Sequence, residues 1–113
     1  MSTKKDKFTN KDKLYMSIAL SLARSREGLT GTNPSVGCVI VKNNHIISIG
    51  QTSLNGRPHA ETNAIKNASE SLVGAKMYIT LEPCNHHGVT PPCTNEIINS
   101  KISQVIYSVE DVD

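Results

Sequence analysis

The residues suited to metal binding and proton transfer occur in three short segments, His59-Ala60-Glu61, Pro83-Cys84 and Pro92-Cys93. One histidine and two cysteines supply three protein ligands to a tetrahedral zinc ion, and the fourth position stays open for water, as in a catalytic site. Zinc lowers the pKa of its bound water to about 7, so hydroxide exists at neutral pH. Glu61 exceeds this ligand set and would carry the proton of that water to the substrate. The pattern predicts a catalytic zinc site with His59, Cys84 and Cys93 as ligands and Glu61 as the acid–base group.

Each segment alone has a simpler interpretation. A lone His-x-Glu occurs by chance in many chains, and Cys84 alone would more often be a small buried apolar residue. A closed structural zinc site needs a fourth Cys or His ligand, which His86 or His87 would supply. The three segments in this order, each at the end of a predicted helix or strand, favour the catalytic interpretation.

The elements that must position these residues follow from apolar spacing and turn signals. A first helix has an apolar stripe of Leu14, Ile18 and Leu22 at i, i+4 and i+8, which predicts its core-facing side. Asn43 and Asn44 predict a two-residue hairpin turn, since Asn tolerates positive φ. The predicted helices span Asn10–Glu27, Pro58–Ser69 and Cys93–Asn99, and the predicted strands span Val36–Lys42, His45–Ile49, Met77–Leu81 and Ser103–Val109.

The order of these elements predicts an α/β fold of three layers, α/β/α, in which an antiparallel hairpin is followed by parallel strands with right-handed crossovers. We expect an open sheet edge beside the fourth predicted strand. Residues 1–9 are predicted to form a flexible basic tail and residues 10–113 a single domain.

Composition excludes several classes of function. The formal charge is +2, and the first 13 residues hold five lysines and two aspartates, so the rest of the chain is nearly neutral and lacks the basic surface of a nucleic-acid-binding protein. No apolar run approaches the length of about 20 residues that a membrane span needs. An odd number of cysteines, three, without a secretory signal argues against a disulfide framework and predicts a reducing, cytoplasmic location.

The same segments resemble the cytidine-deaminase superfamily, whose signature is His-x-Glu followed by Pro-Cys-x-x-Cys. Here eight residues, Asn85–Pro92, separate the two cysteines. That longer loop, together with Asn33-Pro34-Ser35-Val36-Gly37-Cys38-Val39-Ile40-Val41 and Gly56-Arg57-Pro58-His59-Ala60-Glu61, is similar to the pyrimidine deaminases of riboflavin biosynthesis. The resemblance runs from about Leu14 to Val109.

This resemblance implies hydrolytic, zinc-dependent removal of the 2-amino group of 2,5-diamino-6-ribosylamino-4(3H)-pyrimidinone 5′-phosphate as ammonia. It also implies that Asn33 and His86 line the substrate pocket. Two positions depart from the family: Val89 stands where an Arg or Lys associated with the substrate phosphate is usual, and Thr52 stands where His is frequent. Three alternatives follow: Arg57, the cation nearest in sequence to the predicted ligands, binds the phosphate, backbone amides near Gly88 and Thr90 bind it, or the natural ligand lacks a phosphate. We favour Arg57, whose simpler interpretation is a solvated loop residue.

The family resemblance leaves other functions open. One is a nucleoside, guanine or tRNA deaminase of the same superfamily, and another is a non-catalytic zinc-binding module. Bacterial members of the riboflavin family often carry a reductase domain, which is absent here, and the deaminase domain usually extends further, so the chain is expected to be truncated at its C-terminus. We further expect a homo-oligomer that acts on a small pyrimidine nucleotide and binds neither nucleic acid nor membrane.

Overall fold

A computed structural model describes residues 2–3, 9–80 and 94–108. The strands are β1 (Ser2–Thr3), β2 (Gly37–Lys42), β3 (His45–Gln51), β4 (Lys76–Thr80) and β5 (Gln104–Ser108), and the helices are α1 (Asn10–Arg24), α2 (Ala60–Asn67) and α3 (Thr94–Asn99). The strands form one sheet in the order β1-β5-β4-β2-β3. β2 pairs antiparallel with both β3 and β4, whereas β4 pairs parallel with β5.

Two apolar clusters lie on opposite faces of this sheet. One face packs against α1 and contains Tyr15, Ala19, Val39 and Tyr78 among its buried residues. The other face packs against α2 and α3, with alternate strand residues such as Cys38, Ile40, Met77 and Ile79 beside Ala60, Ala64 and Ile97. The alternation of faces along each strand produces the three predicted layers. The predicted α/β/α architecture is confirmed.

The predicted core stripe of α1 is wrong by one residue. Leu14 is 53% exposed, and the buried side of the helix is centred on Tyr15, Ala19 and Ala23. The reason is a close approach between backbones, because a Cβ at Gly37 of β2 would lie 1.9 Å from the carbonyl oxygen of Ala19. Only a small side chain fits where the helix lies so near the strand, so Ala19 occupies the contact, Leu14 is exposed, and Ile18 and Leu22 are partly buried against the same cluster.

The ends of α1 depend on different interactions. Thr9 and Asp12 form a capping box at its start, with Thr9 N–H donating to the Asp12 carboxylate at 3.0 Å and Asp12 N–H donating to the Thr9 hydroxyl at 3.1 Å. The helix ends at Arg24 rather than Glu27, because the next turn closes with i→i+3 bonds such as Glu27 N–H to Arg24 C=O.

The hairpin turn is as predicted, with φ of 53° at Asn43 and 65° at Asn44. The prediction of an open sheet edge beside the last strand is wrong for two residues of β5, because Gln104 and Val105 pair in parallel with Ser2 and Thr3. The division into a tail of residues 1–9 and a domain of residues 10–113 stays a prediction.

Candidate functional site

His59 and Glu61 both lie at the N-terminal end of α2, which begins two residues later than predicted. His59 is the N-cap, with φ −74° and ψ 165°, and its side chain makes no capping hydrogen bond. Ala60 and Glu61 are the first two helical residues, and Glu61 is only 7% exposed. A half-buried histidine and a buried glutamate therefore lie two positions apart at one helix end.

The height of α2 above the sheet is set by Gly50 of β3. A Cβ at this position would lie 2.3 Å from the carbonyl oxygen of Ala60 and 2.5 Å from the backbone nitrogen of Ala64. The Ser48 hydroxyl, from the same strand, donates to the Ala64 carbonyl at 2.5 Å. Direct contact between strand and helix backbones thus places the end of α2 that carries His59.

The loop before His59 is held by a residue that the sequence analysis missed. The side-chain nitrogen of Asn63 lies 2.7 Å from the Gln51 carbonyl oxygen, 2.9 Å from the Ser53 hydroxyl and 3.4 Å from the Pro58 carbonyl oxygen. Ser53 N–H also donates to the Pro58 carbonyl at 3.1 Å. A polar side chain four residues after the predicted ligand was the available signal, but its partners are set by the loop conformation.

Asn33, predicted to line the substrate pocket, is brought to this same loop. Its side-chain amide donates to the Gly56 carbonyl at 3.0 Å, and its backbone carbonyl accepts from the Thr30 hydroxyl at 2.6 Å. Gly56 has φ +95°, and a Cβ there would lie 2.5 Å from the Asn33 amide nitrogen. Glycine is therefore required for the two loops to meet.

Thr52 has a structural role. Its side chain is fully buried, and its hydroxyl accepts from Val36 N–H at 2.9 Å and donates to the Pro34 carbonyl at 3.0 Å. The hydroxyl thus bonds the chain segment that follows Asn33. Thr52 therefore joins the chain just after β3 to the segment just before β2.

Arg57 is exposed and precedes His59 by two residues, across the Arg57–Pro58 peptide bond, which is cis. The remaining predicted site residues, Cys84, His86 and Cys93, lie outside the described residues, as does Val89. Within the described part of the chain no group of three metal-ligating side chains comes together. The structure therefore locates the His59 and Glu61 side of the predicted site.

Tyr107 of β5 was also missed. It pairs in register with Ile79, whose side chain belongs to the cluster beneath α2, so both side chains point to the face that carries Glu61. Burial raises the pKa of the Tyr107 phenol, and the negative charge of Glu61 raises it further. Tyr107 and Glu61 therefore lie on the same face of the sheet.

Comparisons with known proteins identify the family of the chain. Residues 9–109 match the family model described as the cytidine and deoxycytidylate deaminase zinc-binding region. The chain is 50% identical over 100 residues to the riboflavin biosynthesis protein RibD of Aquifex aeolicus, covering 88% of this chain and 28% of that protein. It is 50% identical over 101 residues to the diaminohydroxyphosphoribosylamino-pyrimidine deaminase of Buchnera aphidicola from Schizaphis graminum, covering 89% of this chain and 69% of that protein.

A solved structure is also similar to this chain. The diaminohydroxyphosphoribosylaminopyrimidine deaminase/5-amino-6-(5-phosphoribosylamino)uracil reductase of Thermotoga maritima superposes with a TM-score of 0.74 at 44% identity, covering 89% of this chain and 30% of that one. The chain thus spans less than a third of the length of the bacterial RibD protein and of this structure, and about two thirds of the Buchnera deaminase.

Proposed function

The chain belongs to the cytidine and deoxycytidylate deaminase family, and we propose that it catalyses the hydrolytic deamination of 2,5-diamino-6-ribosylamino-4(3H)-pyrimidinone 5′-phosphate in riboflavin biosynthesis, with release of ammonia. The family model and the relatives confirm the predicted family, the fold and the zinc-dependent deaminase class. The substrate is proposed because the relatives are a riboflavin biosynthesis protein, RibD, and a diaminohydroxyphosphoribosylamino-pyrimidine deaminase. The observation that carries the proposal is the buried carboxylate of Glu61 two residues from His59 at one helix end.

His59, Cys84 and Cys93 are the proposed zinc ligands. The described part of the site fits this role, because the His59 imidazole is not used to cap α2 and is only half-buried. The N-terminus of a helix carries a partial positive charge, which favours nearby thiolates. A set of one neutral imidazole and two thiolates suits a tetrahedral zinc ion with one open position.

Glu61 is the proposed acid–base residue. Zinc, when bound, supplies a Lewis acid that lowers the pKa of water to about 7. The Glu61 carboxylate would accept one proton from the attacking water and donate it to the ring nitrogen. It would then carry the second proton, from the newly formed hydroxyl group, to the amino group, which leaves as ammonia as the C–N bond breaks and the carbonyl forms. Its burial suits this role, because a carboxylate shielded from bulk water does not exchange its proton with solvent before transferring it.

Substrate recognition is assigned to Asn33, His86 and Arg57. Asn33 is held with its amide nitrogen on Gly56, so its side-chain oxygen remains as the acceptor for a donor group of the substrate. Arg57 is exposed beside the same loop, where its guanidinium is the proposed partner of the ribose phosphate. His86 follows the proposed ligand Cys84 by two residues.

We place the protein in the cytoplasm as a homo-oligomer that acts on a small pyrimidine nucleotide, without nucleic-acid or membrane partners. Cys38 is buried in the core and takes part in no disulfide bond among the described residues, which suits a reducing compartment. None of the described helices has the length and apolar character to cross a membrane.

The proposal is tested by incubating the zinc-loaded protein with the riboflavin intermediate, cytidine and guanine, and measuring ammonia. We expect turnover of the riboflavin intermediate, and a drop of about 10²–10⁴-fold in Glu61→Gln, because the acid–base group is lost while its shape is kept. Glu70→Gln is the matched control, since Glu70 is exposed beyond the end of α2. Release of ammonia from cytidine or guanine alone would assign a different deaminase, and near-normal activity of zinc-loaded Glu61→Gln would remove Glu61 from the mechanism.

A further inference from the structure

We propose that Asn63 is a positioning residue that fixes the backbone at His59 and so sets the geometry in which the imidazole meets zinc. The inference rests on the proposed zinc site and concerns a residue outside the ligand set. Asn63 lies one helical turn after His59 and on the same side of α2, since residues at i and i+4 are neighbours on a helix. Its side chain contacts the end of β3 and the loop that leads to His59.

The Asn63 amide joins three points of the loop that leads to His59. The NH₂ group has two hydrogens, and the two shorter contacts, to the Gln51 carbonyl at 2.7 Å and the Ser53 hydroxyl at 2.9 Å, account for both. The Pro58 carbonyl at 3.4 Å is a weaker third acceptor. The end of β3 and both ends of the loop are therefore held by one side chain.

Hydrogen bonds hold the peptide groups on both sides of His59. The Pro58 carbonyl, which also accepts from Ser53 N–H at 3.1 Å, belongs to the peptide bond that enters His59. On the other side, the His59 carbonyl accepts from the backbone N–H of Asn63 at 3.0 Å. The peptide groups before and after the histidine Cα are thus both bonded within the same short segment, which restricts the direction of its side chain. The His59 side chain itself makes no capping bond that would do this instead.

The substitution Asn63→Asp distinguishes an electrostatic effect from a positioning effect, because the two predict opposite changes in zinc affinity. In Asn63→Asp the side chain keeps its size, but a carboxylate faces the carbonyl oxygens of Gln51 and Pro58 and repels them. A negative charge near the site would by itself strengthen the binding of a divalent cation. Weaker zinc binding in Asn63→Asp would therefore report the displaced backbone rather than the added charge.

The experiment measures the zinc dissociation constant by competition with a chelator, together with the thermal midpoint of the metal-free protein and the visible absorption of the cobalt-substituted protein. We expect Asn63→Ala to weaken zinc binding by about tenfold, as loss of groups that orient metal ligands generally does. Asn63→Asp should weaken it further, and both variants should shift the cobalt bands. Asn67→Ala, at an exposed asparagine at the other end of α2, is the matched control and should change neither the zinc dissociation constant nor the cobalt absorption.

Ser53→Ala removes a single contact of the amide and keeps the test available if Asn63 variants fold poorly. It should weaken zinc binding by a few-fold, and the double variant with Asn63→Ala should be no weaker than Asn63→Ala alone, since both remove the same bond. Unchanged zinc affinity and cobalt absorption in Ser53→Ala and in the Asn63 variants, whether or not the thermal midpoint falls, would overturn the inference and leave the proposed function intact. Failure of the unsubstituted protein to bind zinc would overturn both.

Discussion

Gly50→Ala should impair both the stability and the site of this protein, although the added group is one methyl. The new Cβ would lie 2.3 Å from the Ala60 carbonyl oxygen and 2.5 Å from the Ala64 nitrogen. Both are backbone atoms of α2, so no rotamer change relieves the overlap. To restore ordinary contact at 3.4 Å, the helix must move away from β3 by about 1 Å.

The magnitude follows from that displacement. Overpacking by one methyl group costs about 1–3 kcal/mol of folding free energy, and each kcal/mol lowers the thermal midpoint by about 4–8 °C in a domain of this size. The moving end of α2 carries His59 and Glu61. A misplacement of about 1 Å in a catalytic group can reduce turnover about 100-fold, so the loss of activity should exceed what unfolding at the assay temperature explains.

The control is Gly37→Ala on the neighbouring strand. Its Cβ would lie 1.9 Å from the Ala19 carbonyl oxygen, so it displaces α1 on the opposite face and leaves α2 in place. We expect both variants to lose thermal stability, measured by circular dichroism, but only Gly50→Ala to lose zinc affinity and turnover in the folded state. Equal loss of zinc affinity in the two variants would refute the argument that the height of α2 sets the site.

Three further predictions concern metal, phosphate and association. Cys84→Ser and Cys93→Ser should each lower the zinc content from one ion per chain, as measured by elemental analysis, and full zinc content in both would exclude them as ligands. Arg57→Ala should weaken binding of the phosphorylated substrate about 10- to 100-fold, the effect of losing a charged hydrogen bond, and should affect binding of the dephosphorylated analogue much less. Equal effects on both would show that Arg57 does not bind the phosphate. Ile98 and Tyr107 are 54% and 39% exposed, and exposed apolar surface favours association. Light scattering should therefore show a dimer or larger species. A clean monomer at micromolar concentration would contradict this.

Features decided by neighbouring residues could be predicted from the sequence. The Asn43-Asn44 turn follows from the tolerance of asparagine for positive φ, and both residues adopt it. Thr9 caps α1 through a residue only three positions away. His59 and Glu61 were identified by residue type and spacing, and their common position at the start of α2 follows from the sequence of that short segment.

Features decided by distant residues could not be predicted in this way. The stripe of Leu14 and the stripe of Tyr15 have the same helical period, and the choice between them depends on how closely Ala19 approaches Gly37. Asn63 is one of many polar helix residues until the loop from Gln51 to Pro58 is folded around it. Tyr107 lies 46 positions after Glu61 in sequence, and only the pairing of β5 with β4 brings it to that face.

Asp12 connects the start of α1 to the centre of the sheet. One carboxylate oxygen accepts from Thr9 N–H, and the other accepts from the Tyr78 hydroxyl on β4, where Asp12 is almost fully buried. Helix ends normally fray, and their amide protons exchange with solvent through small local openings. Here the first turn of α1 cannot open without breaking the hydrogen bond between Asp12 and the buried Tyr78 hydroxyl. The amides of Thr9, Asp12 and Lys13, which are hydrogen-bonded in this turn, should therefore exchange hydrogen for deuterium more slowly than those of an ordinary helix end.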